Sequence, residues 1–287
     1  MNELAASITR IVWGEFRLDG GAVFGVVPRT LWTRRVPPDE HNRVTLVLTS
    51  LLVESGSHKV LLDCGMWPGF PDKLRDDVYA VVQPSMAETF RRVTGMEPTA
   101  ITDVVPSHLH FDHVGGFFQR EKDGYSSTFP NASLHVQQRQ LAWARSPSIK
   151  DSASYVPELT RLVENCDRLV VHPDAWSLDA NLSFSLAQGH TPDMVVSDIK
   201  TTAGTLIHTA DVVFLEAAIP VPWVGAFDIR PLHTVDEKLA LYRRAVGSIL
   251  YLGHEPHHPF CRVQEDPTGR WTVVHTNVPQ GHHAASR

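Results

Sequence analysis

Cysteine is scarce in this chain: Cys64, Cys166 and Cys261 are the three in 287 residues. They are odd in number and widely spaced, so they form neither a CxxC metal knuckle nor a disulfide framework. Free thiols in a reducing compartment are expected. Long apolar runs are missing too, and none approaches the ~20 residues that cross a bilayer. The opening residues, MNELAASITRIVWGEF, lack the basic stretch and long apolar core of a secretory signal. A cytoplasmic protein with no membrane partner is therefore expected. Basic stripes are also absent. The formal net charge is -6, and no block of Lys or Arg offers the electrostatic footprint that nucleic acid requires. A neutral or weakly polar small molecule suits this balance better. Internal repeats and low-complexity linkers are not seen.

Histidine is what the chain has in excess, with 16 residues. The run VVPSHLHFDHVGG, residues 104–116, carries His108, His110, Asp112 and His113 within six positions. A single buried histidine is usually a satisfied core residue. Three of them with an aspartate in so short a span point to a metal. His108 and His110 alternate as an extended segment allows, placing both side chains on one side. Asp112 and His113 then need a turning loop, and Gly115-Gly116 let the backbone leave the site tightly and start a helix. Imidazole with carboxylate suits zinc, iron, manganese or cobalt, and the residues alone do not choose among them.

Around this run the pattern predicts β-structure, then mixed structure, then β-structure again. Strands are expected at 11–18, 44–53, 58–63, 101–105, 168–171, 182–187, 194–199, 205–209, 249–252 and 271–275. The turn at 54–57 makes a hairpin of the second and third. Helices are expected at 84–94, with Ser85 as N-cap and Gly95 as stop, and at 135–145, 156–165 and 235–246. Residues 19–32 read as a structured aromatic loop. This order suggests packed sheets with helices outside, rather than a regular doubly wound array.

HLHFDHVGG resembles the HxHxDH signature of the metallo-β-lactamase superfamily. GHTP at 189–192, ADVV at 210–213 and YLGH at 251–254 follow in that family's order. The resemblance implies an α/β fold, the four-layer αβ/βα sandwich with two mixed β-sheets flanked by helices. It implies one domain over 1–287, with an N-terminal loop extension, about 19–43, near the active-site mouth. Carried over by position, His108, His110 and His190 would hold one divalent ion, and Asp112, His113 and His254 a second. Asp211 would bridge both and leave room for a shared water of lowered pKa. His257 and His258 lie close to His254 in sequence. Its place directly after the strand-like ILYLG favours His254. Asp63, in LLDCG, would orient a ligand histidine.

The segment LDGGAVFGVVPRTLW followed by PPDEHNRV resembles the quorum-quenching acyl-homoserine lactonase-like branch. That likeness implies hydrolysis of a lactone such as an acyl-homoserine lactone, two zinc ions (or manganese, cobalt or iron), and a homodimer. Asp112 would carry a proton to the leaving alkoxide. Phe24, Val26 and Trp32 would lie at the mouth or the dimer contact, and Trp67, Phe70, Trp223 and Phe227 would build an apolar pocket. One departure bears on substrate. The position three residues after the bridging aspartate, where those lactonases carry a tyrosine, is Phe214. Organophosphates, aryl esters and thioesters are the alternative substrates, and a redox iron protein is the non-hydrolytic alternative.

Overall fold

The computed structural model describes residues 5–278, so the ends of the expected 1–287 domain lie outside the described residues. The chain opens with a long antiparallel pair, β1 (Ser7–Asp19) and β2 (Arg43–Ser55). The excursion between them is more regular than the aromatic loop that the sequence suggests. It holds two short helices, α1 (Gly20–Phe24) and α2 (Arg29–Trp32). Asp19 starts α1, its Oδ1 accepting from the Gly21 and Ala22 N–H groups. β2 then turns through Gly56 into β3 (His58–Leu62), the expected hairpin. A π-helical turn, Lys73–Val78, comes before the next α-helix, α3 (Met86–Thr94), which begins where Ser85 Oγ accepts the Glu88 N–H. It stops at Gly95, whose φ of 70° a glycine adopts without strain.

The metal-motif run follows β4 (Asp103–Val105), which lies parallel to β3. A small hairpin, β5 (Phe118–Glu121) and β6 (Gly124–Ser127), comes next, then β7 (Ser133–Gln137). Here the expectation of a helix from 135 is corrected. Residues 135–137 are strand, inserted in parallel between β4 and β8 (Leu169–His172), and helix α4 covers only Gln138–Arg145. The Gln137 side chain accepts from the Arg139 and Gln140 N–H groups and so ends the strand and starts the helix at one residue. Helix α5 (Pro157–Glu164) takes its start from Pro157.

The second half builds its own sheet from β9 (Trp176–Ser177), β10 (Leu182–Ala187), β11 (Met194–Thr201), β12 (Gly204–His208), β13 (Ile249–Tyr251), β14 (Phe260–Glu265) and β15 (Trp271–His275). Helix α6 (Pro231–Arg244) makes the crossover from β12 to its parallel neighbour β13. The strand orders are β1-β2-β3-β4-β7-β8 and β15-β14-β13-β12-β11-β10-β9.

Side-chain alternation explains the layers. Leu51, Val53, Val60, Leu62 and Val105 face inward, against Phe184, Val195, Ile199, Leu206 and Tyr251 of the other sheet. Their neighbours Leu52, Leu61 and Val104 face outward, into a core shared with Phe90, Leu141 and Leu159 of α3, α4 and α5. On the far side Val196, Ile207 and Leu250 meet Leu241 and Tyr242 of α6. Strands buried on both faces read as continuous apolar runs, which is how β2 reads. The result is the expected four-layer αβ/βα sandwich.

Candidate metal centre

The loops that leave β3, β4, β12 and β13, and the turn joining β10 to β11, converge at one edge of the sandwich. They bring together all seven side chains singled out in the sequence. His108 Nε2 lies 2.9 Å from His110 Nδ1, and His190 Nε2 lies 3.2 Å from that same atom. Beside this trio, His113 Nε2 and His254 Nε2 are 3.2 Å apart, with Asp112 Oδ2 3.7 and 3.8 Å from them. Asp211 reaches both groups. Its Oδ2 is 3.4 Å from His190 Nε2 and 3.6 Å from His113 Nε2, and its Oδ1 is 3.5 Å from His254 Nε2. His257 and His258 are exposed and take no part.

Each imidazole is aimed by what its other nitrogen touches. His254 Nδ1–H donates to the Val47 carbonyl at 2.9 Å, which fixes the tautomer and leaves Nε2 with a free lone pair. His190 Nδ1 pairs with Asp228 Oδ1 at 2.9 Å. His113 Nδ1 lies 3.1 Å from Asp63 Oδ2, the orienting contact expected of Asp63. Asp63 Oδ1 also accepts the Ser107 N–H, and Ser107 Oγ sits 3.0 Å from His108 Nδ1. His208 packs beside the same carboxylate, 3.4 Å from Asp63 Oδ2. His110 differs, for its Nε2 is buried with no hydrogen-bond partner.

The backbone is held tightly where these loops turn. Asp63 (φ 60°) and Ala210 (φ 47°) sit in the left-handed region, one at the end of β3 and one directly before Asp211. Gly115 and Gly116 form a 3₁₀ turn, not the start of an α-helix as their sequence suggests. A Cβ at Gly115 would meet the Trp67 nitrogen at 2.2 Å, and one at Gly116 the Cys64 carbonyl at 2.0 Å. The glycines are there for close approach.

The donor set fits divalent ions. Tetrahedral zinc with Zn–N of about 2.0–2.1 Å spaces its ligand atoms by roughly 3.3 Å, within the observed range. Charge points the same way. Burial and the neighbouring imidazoles hold His108 and His110 well below the ordinary histidine range, so both are neutral with lone pairs to offer. Burial opposes charge on His113, His190 and His254 as well, but the adjacent carboxylates outweigh it. Burial likewise opposes charge on Asp211, yet His113, His254 and His190 hold it well below the carboxylate range. Buried carboxylates and imidazole nitrogens converging on one point ask for positive charge at the centre.

A cavity of about 170 Å³ opens onto the two groups. Phe214 and Phe227 line it, as expected, together with Phe16, Leu18, Phe111 and Tyr79. The other expected pocket residues do not. Phe24 stacks on Trp32 at 5.1 Å and meets Trp223 edge-on at 5.9 Å, a buried aromatic brace behind Ala22, which does line the cavity. Trp67 packs on Tyr125, and Phe70 backs Phe111 and Tyr79 from outside. Val26 is 90% exposed. The loop carrying Phe214 and Phe227 is pinned by the buried Lys238, which donates to the Ala218, Pro220 and Trp223 carbonyls.

Residues 45–122 match the family model of the metallo-beta-lactamase superfamily. The chain has that superfamily's fold. N-acyl homoserine lactonase AttM of Azorhizobium caulinodans is 26% identical over 208 residues, 67% of this chain and 71% of that protein. A probable metal-dependent hydrolase from Staphylococcus aureus superposes with a TM-score of 0.81 at 21% identity, over 97% of this chain and 100% of its own. AidC, a dizinc quorum-quenching lactonase solved with the product N-hexanoyl-L-homoserine, gives 0.78 at 17% identity over 98% of this chain and 97% of its own. The hydrolase AbOPH gives 0.75 at 18% identity over 96% of each chain.

Proposed function

We propose that this protein is a metal-dependent hydrolase with a dinuclear centre, and that a lactone such as an acyl-homoserine lactone is its substrate. The observation that carries the reading is Asp211, whose two oxygens lie within 3.6 Å of nitrogens from both histidine groups. A carboxylate so placed would be shared by two cations. His108, His110 and His190 would hold the first, and Asp112, His113 and His254 the second, with Asp211 shared. The chemistry of the set favours zinc, while manganese, cobalt and iron accept the same ligands. Bound there, divalent ions would supply Lewis-acid polarisation of an ester carbonyl and an activated water.

The chain itself supplies position and proton movement. Phe16, Phe111, Phe214 and Phe227 give an apolar wall that takes an acyl chain and excludes bulk water. Asp112 faces the cavity and is the carboxylate placed to pass a proton to the departing alkoxide. The aromatic wall also gives aryl esters and phosphotriesters a claim, and they form the second reading.

Lactones, aryl esters, phosphotriesters and thioesters should be assayed side by side with the metal-loaded protein, and metal per chain measured. Two ions and fastest turnover of lactones are expected. Asp211→Ala should lose at least about 10³-fold in kcat/KM, because both ions lose a ligand. Wild-type-like activity in that variant would sink the dinuclear mechanism, and oxygen uptake with one iron per chain would replace hydrolysis with redox chemistry.

A further inference from the structure

The cavity is poor in hydrogen-bond donors. Apart from the His and Asp side chains of the two metal-type groups, Tyr79 and Ser154 alone among its lining residues carry a donor, and Phe214 offers none. An ester presents a carbonyl and an alkoxy oxygen, and both gain negative charge as the acyl–oxygen bond breaks. A wall with one well-placed donor therefore decides how the ester lies.

Tyr79 is built for that task. It follows the single π-helical turn Lys73–Val78, and its backbone is tied on both sides. Its N–H donates to the Leu74 carbonyl at 2.9 Å, and its own carbonyl accepts from the Arg17 N–H at 2.7 Å. Three residues on, Val82 pairs with Glu15 in both directions, fastening the segment to β1. The ring lies 5.5 Å from Phe111 and 5.8 Å from Phe70, so it is clamped beside the residue that precedes Asp112. Its hydroxyl, in contrast, has no hydrogen-bond partner among the described residues. Burial and the Asp112 charge both push the phenol pKa up, so it stays protonated and can donate.

We propose that Tyr79 positions the substrate, its phenol O–H donating to the ester oxygen on the Asp112 side of the cavity. The proposal rests on the hydrolase reading above. As the water oxygen adds to the acyl carbon, the acyl–oxygen bond breaks, and the proton the water gives up passes by way of Asp112 to the departing alkoxide. Tyr79 keeps its own proton throughout and lends only the hydrogen bond.

Tyr79→Phe and Ser154→Ala should be compared with wild type for melting temperature, metal content, kcat and KM, and calorimetric affinity for N-hexanoyl-homoserine. Tyr79→Phe should keep its metal and its stability, lose about tenfold in kcat/KM and bind the product several-fold more weakly. Changes below twofold in both readouts would overturn the proposal, as would a loss carried by Ser154→Ala instead. Failure of the lactonase reading looks different: wild type then turns over another ester class, and the Tyr79→Phe ratio is read on that substrate. If wild type neither hydrolyses any ester nor binds the product, both readings fall.

Discussion

Asp228 shows how the centre depends on a residue that no motif announces. It stands 38 positions from His190, is 2% exposed, and meets His190 Nδ1 at 2.9 Å. With that contact the ring presents Nε2 to the centre in one orientation; without it the imidazole can rotate or take the other tautomer. Asp228→Ala should therefore weaken metal affinity about 10- to 100-fold in a chelator competition. Asp228→Asn should recover part of the loss, since its amide oxygen still accepts the Nδ1–H. Equal affinity in Asp228→Ala and wild type would remove the orienting role. The seven candidate ligands were legible because four of them fall within six positions and the rest sit in short, recognisable segments. Asp228 and the Val47 carbonyl were not, because they act by long-range proximity that only folding creates. Tyr79 was invisible for the same reason. The aromatic residues expected at the pocket went the opposite way: Phe24 and Trp32 occur in a suggestive segment, but they and Trp223 satisfy one another first.

At the scale of elements, the edge where β8 meets β9 joins the two sheets through stacked rings. His172 lies over Trp176 at 4.1 Å, and Trp176 over Phe184 at 4.7 Å. His172 Nε2 touches His135 Nδ1 at 2.9 Å, His135 Nε2 meets Asp103 Oδ1 at 2.8 Å, and His58 Nδ1 meets Asp103 Oδ2 at 2.8 Å. These histidines look patternless in sequence because their partners come from four different strands. The helix expected at 135 erred for the same reason, since pairing with β4 and β8 overrides local preference. Burial, with the neighbouring His135, lowers the His172 pKa to about 4. Between its ordinary value near 6.5 and about 4, the unfolded chain binds a proton that the folded one refuses. Stability is thus expected to fall as pH drops through that window and to stop falling on this account below it. Asp103 is held below its usual range, against burial, by His135, Thr102 and His58, so its contribution is lost only at lower pH still. A series of melting temperatures from pH 7.5 to 4 tests this. His172→Gln should flatten the slope between 6.5 and 4, and an unchanged slope would assign it to other groups.

For the whole molecule, the seven metal-type side chains are divided between two sheets. His108, His110, Asp112 and His113 follow β4 of the first sheet, while His190, Asp211 and His254 come from loops of the second. Each group contains members from both, so each ion would staple one half of the sandwich to the other. The halves do not depend on that staple to meet, because Val53, Leu62 and Val105 already pack against Phe184, Val195 and Tyr251 between them. Chelation should therefore leave a folded but less stable protein rather than an unfolded one. At a free metal concentration about 100 times Kd, linkage adds roughly 2.7 kcal/mol per site. For a chain of this size that corresponds to a rise of about 5–10 °C in melting temperature. Scanning calorimetry with and without restored zinc measures the increment. Asp211→Ala, which touches both groups, should lose most of it while keeping the apo melting temperature. An increment equally large in Asp211→Ala would place the stabilising ion elsewhere on the chain.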